Sequence, residues 1–144
     1  MPTVDERFSA ALHNCARGWR LAVDRRLKDL GLSQAGWMTI AMAAKNKAPL
    51  SQTELAQRVG VEDATMVAML DRLARAGLVV RAPSEADRRV KPVVLTAAGS
   101  ALVDKVRVEA GAVRRRLLAG LDAKSLLVAT ELLENIETLL EQRP

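Results

Sequence analysis

The chain predicts a mainly α protein that carries one small β-hairpin. Three observations point there. Apolar residues recur at steps of three and four along most of the 144 residues, the spacing of helices buried on one face. Aromatic residues make up only 2% and tyrosine is absent, so Leu, Val, Ala and Met must build the core, a set that suits packed helices. One stretch departs from that pattern. In VVRAPSEADRRVKPVVL, Val79 to Leu95, two β-branched arms flank a turn containing Pro, Ser, Glu, Asp and two adjacent arginines.

The elements follow in order. Phe8, Leu12, Cys15, Trp19, Val23, Leu27 and Leu30 form one helical stripe from about Asp5 to Leu30, and Gly31 ends it. Ser33 is placed to cap a second helix, QAGWMTIAMAAK, which stops before Pro49. Ser51 and Glu54 have capping-box spacing and start a short third helix with Leu55 and Val59 inward, broken at Gly60. A fourth helix runs from about Glu62 to Ala76, with Met66, Leu70 and Leu73 as its buried stripe and Gly77 just past its end. The hairpin comes next. Thr96 then caps a long helix to about Leu118, and Gly120 and Asp122 separate it from a last helix striped by Leu126, Ala129, Leu133, Ile136 and Leu140.

Two helices joined by a tight glycine turn make a helix-turn-helix, and a hairpin directly after it makes the unit winged. The predicted organisation is a single unit, 1–144. Within it, residues 33–100 form the winged helix-turn-helix, and residues 1–32 and 101–144 form a helical dimerisation region. The terminal stripes need cover, from within the monomer or from a second subunit. The reading favours a homodimer, because three helical segments at the chain ends have no large core of their own to serve.

Composition narrows the function classes. The formal charge is +5 with a pI of about 10.0, and most of the excess lies in the N-terminal third. That balance permits nucleic acid or an acidic surface as partner. One cysteine allows no internal disulfide and fits a reducing cytosol. The N-terminus does not read as a signal peptide, and no segment reaches the ~18 apolar residues of a membrane span, so a cytoplasmic location is expected. No paired carboxylates, metal cluster, nucleotide loop or nucleophile–base pair suggests an enzyme, so no catalytic residue, cofactor or metal site is expected.

The helix-turn-helix implies double-stranded DNA as partner. The helix from Glu62 to Ala76 would enter the major groove and the hairpin would reach the backbone or the adjacent minor groove, where arginine suits the negative potential. Ala64, Thr65, Ala68, Arg72 and Arg75 lie opposite the buried stripe. Thr65 can hydrogen-bond a base and touch thymine with its methyl. Arg72 can reach phosphate. Ser51 and Gln52 sit at a helix N-terminus, a good place for a backbone phosphate.

These residues carry a family resemblance. WRLAVDRRLKDLGLSQAGW, LAQRVGVEDATMVAMLDRLARAGLVVR and EADRRVKPVVLTAAG resemble the MarR family of winged-helix transcriptional regulators, in its SlyA-like branch. Asp87 and Arg89 match the Asp-x-Arg wing signature; Arg88 and Lys91 lie beside them. The resemblance implies a homodimer, a palindromic operator and regulation by small aromatic or phenolic ligands. It departs at Ala68, where SlyA-like proteins commonly carry a basic residue. Alanine cannot read guanine. Glu62, Asp63 and Asp71 also outnumber Arg72 and Arg75 on that helix. These departures favour altered base specificity or a larger share of affinity from the wing. They also support a rival reading, a winged-helix dimer that serves protein contacts with weak or lost DNA binding.

Four other features have two readings each. Trp19 and Trp37 are core anchors, or they line a ligand pocket in which Arg17 or Arg20 meets a carboxylate. Cys15 lies on the apolar stripe and reads as structural; as a redox sensor it would lack the tyrosine hydroxyls that activate such a cysteine in similar proteins. His13 lacks partners for a zinc site or a catalytic base. Arg114 to Arg116 point in three directions on a helix and read as a solvated face rather than a nucleic-acid patch.

Overall fold

The structure is a computed structural model that describes residues 1–82 and 92–142. The helices are α1 (Val4–Arg26), α2 (Gln34–Lys45), α3 (Gln52–Val59), α4 (Asp63–Arg75), α5 (Ala97–Leu118) and α6 (Ala123–Glu141). The strands β1 (Val79–Arg81) and β2 (Val93–Leu95) lie between α4 and α5, and a 3₁₀ turn covers Lys28–Leu30. The chain is mainly helical with a two-stranded antiparallel wing, as its patterning predicts. It divides into two compact units, residues 1–113 and 114–144.

Local chemistry sets the boundaries. In α3 the Ser51 hydroxyl accepts from the Glu54 backbone N–H at 3.2 Å, and the Ser51 N–H donates to the Glu54 carboxylate at 3.4 Å. This is the reciprocal box that the spacing predicts. Ser33 caps α2 through the Gly36 N–H at 3.1 Å, and Thr96 caps α5 through the Gly99 N–H at 3.1 Å. A further box, between Thr3 and Glu6, starts α1 and was not foreseen. Gly60 ends α3 with φ of 83°, a left-handed conformation that only glycine adopts without strain. That turn sends the chain directly into α4.

One boundary differs from expectation. The stripe predicts an unbroken helix to Leu30, but α1 ends at Arg26. The Leu27 N–H is shared between the Val23 and Asp24 carbonyls, and the chain tightens into the 3₁₀ turn before Gly31. Such tightening satisfies carbonyls that a helix end leaves without partners.

The core of the first unit is aliphatic. Leu27, Ile40, Leu55, Met66, Leu70 and Val113 are fully buried, with Val79 and Val93 contributed by the wing. The buried hydroxyl of Thr39 donates to the Ala35 carbonyl at 2.6 Å, so this buried polar group is satisfied. The strands pair Val79 with Leu95, Val80 with Val94 and Arg81 with Val93. Leu50 adds one antiparallel bridge to Val93, whose N–H donates to the Leu50 carbonyl at 2.9 Å. The segment leading into α3 is thereby fixed to the wing.

Burial fades toward the N-terminus of α1. Val23 is buried and Trp19 partly so, while Val4, Phe8, Leu12 and Leu21 stay exposed. In the second unit, α6 starts at Asp122, which accepts from the Ser125 backbone N–H and hydroxyl, both at 3.0 Å. The backbone bond, aided by the hydroxyl, holds the Asp122 carboxyl below its ordinary range. No α6 residue is buried, and Leu127, Val128, Leu132, Leu133, Leu139 and Leu140 are exposed. Arg114, Arg115 and Arg116 are all exposed as well. Among the described residues, no helix is long and apolar enough to cross a membrane.

Candidate nucleic-acid interface

Helix α4 divides cleanly into two faces. Met66, Met69, Leu70 and Leu73 are buried against the rest of the winged unit. Ala64, Thr65, Ala68, Arg72 and Arg75 are exposed. At 100° per residue these five fall within one arc of about 100°, its centre about 140° round the helix from that of the buried set. The predicted helix-turn-helix contacts on α4 are thus brought onto one accessible surface. Ser51 and Gln52 are half-buried at the start of α3. The Ser51 oxygen is used by the cap, which leaves its O–H proton available as a donor. Asp87, Arg88, Arg89 and Lys91 lie outside the described residues.

The charges on α4 are not equivalent. Glu62 is the N-cap residue in extended backbone and makes no side-chain capping bond. Glu62 and Asp63 are exposed at the helix start, where a negative charge suits the helix dipole but opposes a phosphate. Asp71 is different. Its carboxylate accepts from the Arg81 guanidinium at 2.8 Å, so it does not act as a free anion. Arg81 also donates to the Val67 carbonyl at 3.4 Å. The sequence count of three acids against two arginines on α4 therefore overstates the repulsion.

Sequence reasoning missed Arg81, although a signal was present. Alternation along β1 places Arg81 on the same face as buried Val79, turned toward the helix-turn-helix, with Val80 outward. A cation on that face needs an acid nearby, and Asp71 is the acid within α4.

The four candidate pocket residues do not converge. Arg20 lines a cavity of about 360 Å³ with Gln34, Ala35, Met38, Val59, Gly60 and Val61. Trp37 is half-buried, and its indole N–H donates to Asp24 at 3.3 Å. Trp19 packs on the core, and Arg17 donates to Asn14 of its own helix at 3.3 Å. Cys15 and His13 are exposed, so the stripe position of Cys15 does not bury it within the chain. Among the described residues no group of His, Cys, Asp and Glu could hold a metal ion.

A helix-turn-helix with its second helix turned outward, followed by a wing, defines the class as a winged-helix regulator. The family model described as MarR family matches residues 32–91. The transcriptional regulator PA3341 is 39% identical over 94% of this chain and 99% of its own, with a TM-score of 0.87. The Mycobacterium tuberculosis MarR family protein Rv2887, in complex with p-aminosalicylic acid, is 29% identical over 90% of this chain and 97% of its own, with a TM-score of 0.73. Wild-type MarR from E. coli, in its apo form, shares the fold at 22% identity and a TM-score of 0.78, over 94% of this chain and 98% of its own. The chain belongs to the MarR family of transcriptional regulators, a family that is not enzymatic.

Proposed function

We propose that the protein is a cytoplasmic homodimer that binds a palindromic operator in double-stranded DNA and releases it when a small aromatic or phenolic carboxylate binds. The observation that carries this reading is the outward arc of α4, Ala64, Thr65, Ala68 and Arg72, set on a fully buried opposite face. Thr65 supplies the base-reading group and Arg72 a phosphate contact. Arg88, Arg89 and Lys91 of the wing reach the backbone or minor groove. The bare apolar residues of α1 and of α6 are the surfaces that a second copy covers. In such a dimer the two half-sites lie about one helical turn, roughly 10 base pairs, apart. The wing segment EADRRVKPVVLTAAG supports the finer placement in the SlyA-like branch.

Selection of bound sites from random DNA tests binding and specificity together. Fluorescence anisotropy on the selected site then gives the salt dependence. With six to ten phosphate contacts, affinity should fall by ~10³–10⁵ between 50 and 200 mM salt. Arg72→Ala should weaken binding about equally on all sequences and reduce the salt slope by about one. Replacing both Arg88 and Arg89 with Ala should weaken it further. No binding even at low salt would refute the reading and favour the rival in which the winged dimer serves protein contacts, which the acidic start of α4 and the plain surface at Ala68 support.

The effector reading draws on the ligand of Rv2887. Here Arg20 is the cation at a cavity that it shares with Gln34, Ala35, Met38, Val59 and Val61, and it is the side chain assigned to the effector carboxylate. Adding p-aminosalicylate should release labelled DNA from the wild-type protein. Arg20→Ala should bind DNA normally and lose that response; a full response in this variant would remove Arg20 from the site.

A further inference from the structure

The Arg81–Asp71 pair joins the two elements that the proposed function uses together. Arg81 is the last residue of β1, at the root of the wing, paired across the ladder with Val93. The next backbone bond, from the Ala82 N–H to the Pro92 carbonyl at 2.9 Å, closes that root. Asp71 lies midway along α4, only 20° round the helix from Ala64 and so on the flank of the exposed arc. Two separate donors of one guanidinium reach α4, one to the Asp71 carboxylate and one to the Val67 carbonyl. The planar fork of arginine fixes direction as well as distance. A single side chain therefore adds a directional tie between the wing root and the recognition helix, beyond the burial of Val79 and Val93 that packs the wing on the core.

We propose that Arg81 and Asp71 are positioning residues. They hold wing and α4 at the one angle that lets both engage the same DNA site. This inference rests on the DNA-binding reading above. Arg81 acts through geometry and not as a phosphate contact, because its donors face α4. The pair is partly open to solvent, with Asp71 43% and Arg81 26% exposed at the side chain. Pairs of this exposure add little to global stability, so breaking it leaves the fold in place.

The decisive variant is Asp71→Asn, because two physical effects predict opposite signs. Removing a negative charge from the flank of a DNA-binding face should tighten binding if charge alone matters. Losing the clamp should weaken it, by roughly tenfold, within the usual range of coupling between two sites. We expect weakening on the selected DNA site, with melting temperature within a few degrees of wild type. Arg81→Gln should weaken binding to a similar degree, and the double variant should be no weaker than either single one, since all three lack the same link. Tighter or unchanged binding by Asp71→Asn would overturn the assignment. So would a double variant that adds the two losses, which would make Arg81 a direct DNA contact. A large drop in melting temperature would make the pair merely structural. Failure of the wild-type protein to bind any selected DNA is a separate result, which removes the DNA-binding reading itself.

Discussion

Gly99→Ala should destabilise the protein by about 3 kcal/mol, at the upper end for overpacking a tight site. Gly99 lies in the first turn of α5, where an added methyl group is ordinarily favourable for a helix. Here a Cβ would sit 2.1 Å from the Leu78 carbonyl oxygen and 3.1 Å from the Leu78 carbonyl carbon. Those atoms are backbone and cannot rotate away. The Leu78 carbonyl is also held by the Thr96 N–H at 3.0 Å, and the Thr96 hydroxyl donates to the Gly77 carbonyl at 2.6 Å. To admit the methyl, α5 must lift off the base of β1 and break these bonds. Thermal melting at matched protein concentration is the measurement, since the proposed dimer would make the midpoint concentration-dependent. At roughly 2–4 °C per kcal/mol for a chain of this size, the midpoint should fall by about 10 °C. A fall of under 2 °C would show that the helix accommodates the methyl, and that the close approach is not rigid.

Leu70→Ala should cost about 2–5 kcal/mol. Leu70 is fully buried on the inner face of α4, in the same core as Leu55, Ile40 and Met66. Truncation removes three heavy atoms from a site closed on all sides. Helix α4 packs against α2, α3 and β1, so the cavity cannot collapse without moving several elements. The exposed arc of α4 is untouched, which separates this variant from one at Arg72. DNA affinity per folded molecule should be nearly unchanged well below the melting midpoint, while the midpoint itself drops. If Leu70→Ala lowers DNA affinity at low temperature with the fold intact, the inner packing of α4 also sets its reading geometry.

The parts of the fold legible in the sequence are those fixed over short chain distances. Ser33, Ser51 with Glu54, and Thr96 all cap helices through the N–H three residues on, as does Asp122, which the sequence reading takes only as a break between helices. Such bonds are written in the local spacing. The inner stripe of α4 was legible for the same reason, although Met69 was missed and is buried beside Met66 and Leu70. The end of α1 was not. A helical stripe continues through Leu27 and Leu30 in a 3₁₀ turn almost as well as in an α-helix, so periodicity cannot tell them apart. The Leu50–Val93 bridge, the approach of Gly99 to Leu78 and the Arg81–Asp71 pair depend on segments 10 to 43 residues apart. Only the third left a trace, in the alternation of β1. The candidate ligand residues show the same limit. Arg17 and Arg20, three residues apart, share one side of α1, while Trp19 is turned about 100° from Arg20 and packs on the core, because a helix turns each neighbour by about 100°.

The contact between α1 and α2 makes the protein its own optical reporter. Trp19 and Trp37 are the two tryptophans of the chain, and there is no tyrosine to obscure them. Both pack against the core, and the Trp37 indole is tied to Asp24. Ultraviolet-excited emission from the unlabelled protein therefore reports on these two indoles, one of which is tied across from α2 to α1 through Asp24. Any displacement of α1 against α2 will alter the polarity around an indole ring, so its timing can be followed by stopped-flow mixing without attaching a dye.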